Sequence, residues 1–160
     1  MQIAVIGASD CADEEYSTAR TIGKLVAASG AILVCGGLGG VMEAACRGAR
    51  EGNGMTVGIL PDAGNGNAYL DVIIRTDLGH ARNFLVILSA DAVIAIGGKY
   101  GTLSEIAIAL KTGRPVFSVG GWDIPGVIMC RSAEEAATNA LSAVRRSPLC
   151  RTPPSGGVSL

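Results

Sequence analysis

The chain has 160 residues, the size of one domain with a core of its own. Apolar residues make up 49% of it and charged residues 17%, which excludes a largely disordered chain. A net charge of −1 with no basic stripe argues against a duplex nucleic-acid surface, and no apolar run reaches the ~18 residues of a membrane span.

Residues 1–7 lack a basic start and a small-residue cleavage site, so they read as a first strand, not a signal peptide, and a cytoplasmic protein is expected. The strand stops at Gly7-Ala8-Ser9. Asp13-Glu14-Glu15 suits a first helical turn, and Tyr16, Ala19, Ile22, Leu25 and Val26 keep helical spacing up to a stop at Gly30. Residues 31–35 form a second strand running into Gly36-Gly37-Leu38-Gly39-Gly40. A second helix turns Val41, Met42, Ala45, Cys46 and Ala49 inward and ends near residues 52–54. Residues 55–60 form a third strand, stopped by Pro61, and 62–67 a polar, glycine-rich loop that is either a lid or an inert surface loop. A less regular strand at 70–75 precedes a helical stretch at 78–88 that carries His80 and Arg82. Residues 91–96 form a fifth strand, 102–111 its helix, 116–119 a sixth strand and 127–130 a short edge strand. Ser132-Ala133-Glu134-Glu135 fits a capping box for a last helix to about Arg146. Residues 147–160, with three prolines and two glycines, read as a disordered tail behind a domain of residues 1–146.

Strands alternate with helices and are apolar throughout, the pattern of a parallel sheet covered on both faces. The expected fold is a three-layer α/β/α Rossmann-like domain with a mostly parallel sheet of six to seven strands. In such sheets ligands bind at the carboxyl ends of the strands. The loops at 7–9, 36–40, 61–67 and 97–101 all follow strands and share that edge. Glycine numbers 23, about twice the usual ~7% share, and clusters there.

Ala92-Val93-Ile94-Ala95-Ile96 drives into Gly97-Gly98-Lys99-Tyr100-Gly101-Thr102, and a helix leaves it. Strand, glycine loop and helix build an anion site from backbone N–H groups. The loop lacks the Walker spacing, and the first strand lacks the dinucleotide fingerprint. A phosphate cradle remains, with candidates Gly97, Gly98, Gly101 and Thr102, together with Gly7, Ser9, Gly36, Gly37 and Gly40 on neighbouring loops. Close packing and helix capping are the structural alternatives for these glycines. Thr102-Leu103-Ser104-Glu105 matches a capping box, so Glu105 is either a cap or a carboxylate beside the phosphate. Arg82 is either a paired edge residue or an anion ligand. Lys99 is either a phosphate contact or a solvated loop residue, and His80 reads as a surface residue. Five cysteines without a C-x-x-C pair argue against a disulfide framework or a zinc site, so no metal or resident cofactor is expected.

Ala90 to Ile96 followed by Gly97-Gly98-x-x-Gly101-Thr102-x-x-Glu105 resembles the P-G-G-x-G-T-x-x-E motif of the Lonely Guy (LOG) family, often labelled lysine decarboxylases. Arg82-Asn83 is similar to its R-K pair, and Gly36-Gly37-x-x-Gly40-Val41-Met42 to its G-G-x-x-G-L-M segment. The resemblance covers about residues 2–146. It implies a hydrolase that cleaves the N-glycosidic bond of a nucleoside 5′-monophosphate. Glu105 would be its catalytic carboxylate, Arg82 its partner, and Gly98, Gly101 and Thr102 the phosphate holders. An oxocarbenium-like transition state makes a nearby carboxylate useful. Ile96 stands where the motif has proline and Asn83 where it has lysine. These departures resemble a sister branch that includes molybdenum cofactor carrier proteins, in which the same loops would bind a phosphorylated pterin or nucleotide without turnover. The DNA-processing A family shares the fold more distantly. A homodimer or higher homo-oligomer is implied as well.

Overall fold

The computed structural model describes residues 1–146, and the tail expected for 147–160 lies outside the described residues. Seven strands form one sheet in the order β4-β3-β2-β1-β5-β6-β7, with every neighbouring pair parallel. The strands are β1 (Gln2–Gly7), β2 (Ile32–Cys35), β3 (Thr56–Leu60), β4 (Val72–Arg75), β5 (Ala92–Ile96), β6 (Val116–Val119) and β7 (Val127–Cys130). Helices α1 (Asp13–Ala28), α2 (Val41–Glu51) and α5 (Ala133–Arg146) pack on one face, and α3 (Asn83–Leu88) and α4 (Tyr100–Lys111) on the other. The Rossmann-like α/β architecture expected from the sequence is the one observed.

The apolar runs become strands because they are buried on both sides. Ile3, Val5, Leu33, Ile94 and Phe117 point into the layer under α1, α2 and α5, while Ala4, Ile6, Val34, Val93 and Val116 point into the layer under α3 and α4. Ile3 through Ile6 are at most 1% exposed. Burying each large aliphatic side chain contributes about 1.5–3 kcal/mol. Gly30 ends α1 as expected, with φ +75° and its N–H donated to the Ala27 carbonyl at 2.9 Å. At α5, Ser132 Oγ accepts from the Glu135 N–H at 3.2 Å. The Glu135 carboxylate reaches one residue further back than in a capping box, to the Arg131 N–H at 2.8 Å.

α1 and α2 cross at very close range. A Cβ built on Gly23 would lie 2.0 Å from the Ala45 carbonyl oxygen, and one on Gly48 would lie 1.9 Å from that of Arg20. Glu51 locks the same crossing from outside, accepting from Arg20 at 2.7 Å and pairing with Lys24 at 3.0 Å. These pairs are solvent-exposed and add little to stability.

Two helix boundaries differ from the sequence expectation. The stretch at 78–88 is a single 3-10 turn (Gly79–Arg82) followed by the six-residue α3. α4 starts at Tyr100 with Lys99 as its N-cap, so Glu105 lies in the second turn and not at the third helical position. The Thr102–Glu105 capping box is therefore absent. Gly98, with φ +112°, turns the chain into the helix before Thr102 is reached. No helix among the described residues is long and apolar enough to cross a membrane.

Candidate functional site

β1 and β5 are neighbours, but the chain leaves β1 towards β2 and leaves β5 towards β6, on opposite sides. Their loops diverge and open a crevice at the carboxyl edge of the sheet. This cleft of about 180 Å³ is lined by Gly7–Asp10 after β1, Leu38 and Met42 around the start of α2, His80, Arg82 and Asn83 before and in α3, and Lys99, Gly101, Thr102 and Glu105 at the start of α4.

Glycines shape these walls. Gly98 packs on Thr102, where a Cβ would lie 2.5 Å from that of the threonine. Gly97 donates its N–H to the Val119 carbonyl at 2.9 Å and rests against the Glu15 carboxylate. That carboxylate also accepts from the Ala12 N–H at 3.0 Å, so the cap of α1 braces the anion loop. Gly40, at φ +60°, lies against the Ala8 and Ser9 backbone, and the Val41 N–H donates to the Ala8 carbonyl at 3.0 Å. No side chain caps the start of α4. Its first N–H groups and the positive end of its dipole are left for an anion.

Arg82 and Glu105 form the charged floor of the cleft. Arg82 is 6% exposed, its Nε is buried without a hydrogen-bond partner, and it forms no ion pair among the described residues. Burial holds its pKa below the usual arginine value, against the pull of Glu105. The guanidinium fits because residue 36 is glycine: a Cβ there would lie 2.2 Å from Nη1. Glu105 is 7% exposed, and burial pushes its carboxyl up to about 7 while Arg82 pulls the other way. Asn83, in the motif's lysine position, reaches Ser104 Oγ at 3.4 Å and ties α3 to α4. Beneath the second glycine loop, Cys35 and Cys46 are fully buried, with their sulfurs 3.4 Å apart. The hydrogen bond to Cys35 and burial push the Cys46 thiol up.

Of the residues singled out from the sequence, Gly7, Ser9, Arg82, Gly101, Thr102 and Glu105 line the cleft together. Gly36, Gly37, Gly40, Gly97 and Gly98 stand behind that lining and set its backbone. The loop at 61–67 supplies none of the lining residues. Arg75 Nε donates to the Ala63 and Gly64 carbonyls at 3.2 and 3.0 Å, and Asn67 Nδ2 donates to Leu38 O at 3.0 Å, so the loop buttresses the second glycine loop. Ala8, Asp10, Leu38, Met42, His80, Asn83 and Lys99 complete the cleft. The sequence marks Met42 as an inward helical residue and as the end of the Gly36-Gly37-x-x-Gly40-Val41-Met42 segment. His80 is exposed and lines the cleft, two residues before Arg82 in the same 3-10 turn.

Fold and cleft together define a Rossmann-like α/β protein with a crevice at the switch point of a parallel sheet. The chain belongs to the SLOG cluster4 family, whose model matches residues 1–147. An uncharacterised protein of Archaeoglobus fulgidus is 47% identical over 144 residues, covering 89% of this chain and 95% of that protein. Two solved structures are similar along almost their whole length. The molybdenum cofactor binding protein of Rippkaea orientalis is 35% identical with a TM-score of 0.84, covering 89% of this chain and 96% of that one. The molybdenum cofactor carrier protein of Chlamydomonas reinhardtii is 32% identical with a TM-score of 0.84, covering 91% and 99%.

Proposed function

We propose that this protein binds and carries a small phosphorylated ligand, of which a pterin-type cofactor such as molybdenum cofactor fits best. The observation that carries this reading is Arg82, a buried guanidinium without a partner in a cleft that also holds the uncapped start of α4. An unpaired buried charge is costly, and a bound oxyanion meets its donors. The phosphate would accept from the first N–H groups of α4 and the Thr102 hydroxyl, with the loop Gly7–Ser9 opposite. Leu38 and Met42 offer apolar surface to a planar ring. The likeness to molybdenum cofactor binding and carrier proteins supports the cofactor class.

A second reading, hydrolysis of a nucleoside 5′-monophosphate at its N-glycosidic bond, draws on Glu105. A carboxyl pushed up to about 7 is suited to giving a proton to a leaving base. One experiment separates the two. The protein is incubated with molybdopterin, AMP and isopentenyl-AMP, with binding followed by calorimetry and free base by chromatography. The carrier reading expects pterin binding, no free base, and at least a hundredfold weaker binding by Arg82→Met with a melting temperature equal to or above that of the unmodified protein. Base release that depends on Glu105 would install the hydrolase instead. No binding of any of the three sinks both readings.

A further inference from the structure

The start of α4 stands between two surfaces. Gly101, Thr102 and Glu105 share one arc of the helix and line the cleft. Tyr100, at about 100° per residue, falls on the opposite arc and lines none of it. It is 82% exposed, while no other large apolar side chain among the described residues exceeds 52%. Its ring meets that of Trp122, the one tryptophan of the chain, with centroids 6.4 Å and planes 31° apart. This pair is built onto the anion loop. Trp122 follows β6, the neighbour of β5 on the side away from β1. The Gly97 N–H donates to the Val119 carbonyl at 2.9 Å, and a Cβ on Gly121 would lie 2.7 Å from the Gly97 carbonyl oxygen. Residue 121 is glycine, so the turn that carries Trp122 closes directly on the loop that starts α4. Lys99, the N-cap between the two surfaces, has a side chain 74% exposed, with its ammonium 4.0 Å from Asp10.

We propose that Tyr100 and Trp122 form a stacking platform for a second planar ring, so that the ligand of the cleft is one extended through a pyrophosphate to a nucleoside. A lone phosphate on the uncapped start of α4 serves the cleft arc alone. A pyrophosphate with its ribose spans the roughly 10 Å width of a helix end, which places one ring against Leu38 and Met42 and a base on the far arc. Lys99 stands where the second phosphate would pass. Such a ligand lies across the carboxyl edge of the sheet at the switch point between β1 and β5, as dinucleotides do in open parallel sheets. An exposed aromatic face holds a base by stacking, which is sequence-tolerant because every base has a π-face. The platform therefore selects for the presence of a base more than for its identity, and it needs the ring of Tyr100 but not its hydroxyl. This inference rests on the anion-binding reading of the cleft.

The test is calorimetry on the full chain with pyrophosphate, ADP and molybdopterin, combined with tryptophan fluorescence. With a single tryptophan, the emission reports on Trp122 alone. ADP is expected to bind about tenfold tighter than pyrophosphate and to change the Trp122 emission, which pyrophosphate leaves as it is. Tyr100→Phe should keep both effects, and Tyr100→Ser should remove most of the gain. Tyr100 is 82% exposed, so neither change touches the core. ADP that binds no tighter than pyrophosphate overturns the platform. So does a gain that survives Tyr100→Ser with the Trp122 emission unmoved, because the base then sits in the cleft beside Leu38 and Met42. Molybdopterin keeps the carrier reading separate. If it binds while ADP shows no gain, the carrier reading stands and the platform falls. If ADP gains through Tyr100 and molybdopterin does not bind, the platform stands and the pterin reading falls. If none of the three binds, both fall.

Discussion

Arg82 and Glu105 share one cleft without closing a salt bridge, and burial acts on them in opposite senses. It penalises the charge on Arg82, which persists because guanidinium cannot release its proton at working pH. It penalises the charge on Glu105, which yields by keeping its proton up to about pH 7. Below that pH Arg82 faces a neutral acid; above it the carboxylate offsets Arg82 and repels an anion. Sulfate, which does not titrate in this range, is therefore expected to bind most tightly below pH 7. Its affinity should weaken by up to about tenfold per pH unit above it. Glu105→Gln should lose the part of this weakening that comes from Glu105, with His80→Gln in the background to remove the other cleft side chain of a type that changes charge in the window, and calorimetry from pH 5.5 to 8.5 reads both. The same group sets a stability slope. Its folded pKa stands above the ordinary 4.5, so between 4.5 and 7 the folded chain holds a proton the unfolded chain has lost. Stability then falls as pH rises across that window, by roughly 3 kcal/mol at most, and Glu105→Gln removes the slope.

At the level of helices, the same substitution carries opposite signs at two glycines. Gly→Ala in an open helix gains up to about 1 kcal/mol. Gly48→Ala would instead push a methyl to within 1.9 Å of the Arg20 carbonyl, backbone against backbone, and force α1 and α2 apart. A loss of about 1–3 kcal/mol and a fall of several degrees in Tm are expected. Gly101 in α4 meets nothing within 4 Å, so Gly101→Ala should keep or raise Tm. The added methyl enters the cleft, however, and anion binding should drop. Helix ends explain where local signals misled. Thr102 has the chemistry of a cap and Lys99 does not, yet the φ of Gly98 starts the helix at Tyr100. The apolar run Phe84–Leu88 belongs to a stretch that reads as helical. Nothing in its spacing tells that half of it faces outward, because the missing cover is a property of neighbouring strands.

For the molecule as a whole, strands were legible because apolar runs end at Gly or Pro, and parallel pairing follows from their lack of a polar face. Strand order was not legible. Only when β5 inserts beside β1 do Ser9, Arg82 and Thr102 meet, from segments more than 70 residues apart in the first case. The glycine loops announced the edge of the site. Leu38 and His80 joined it through tertiary placement, which carries no local mark. One interior feature turns this architecture into an instrument. Cys35 and Cys46 face each other between β2 and α2, fully shielded, whereas Cys11 is half-buried near the cleft mouth. A thiol reagent should label Cys11 within the folded protein and reach the inner pair only when the α2 layer lifts away. Peptide mass spectrometry of labelling over time then clocks that opening from within. A ligand held at a hundred times its Kd should slow the clock about a hundredfold at the inner pair. Labelling of the inner pair as fast as Cys11 would mean that the layer is not sealed.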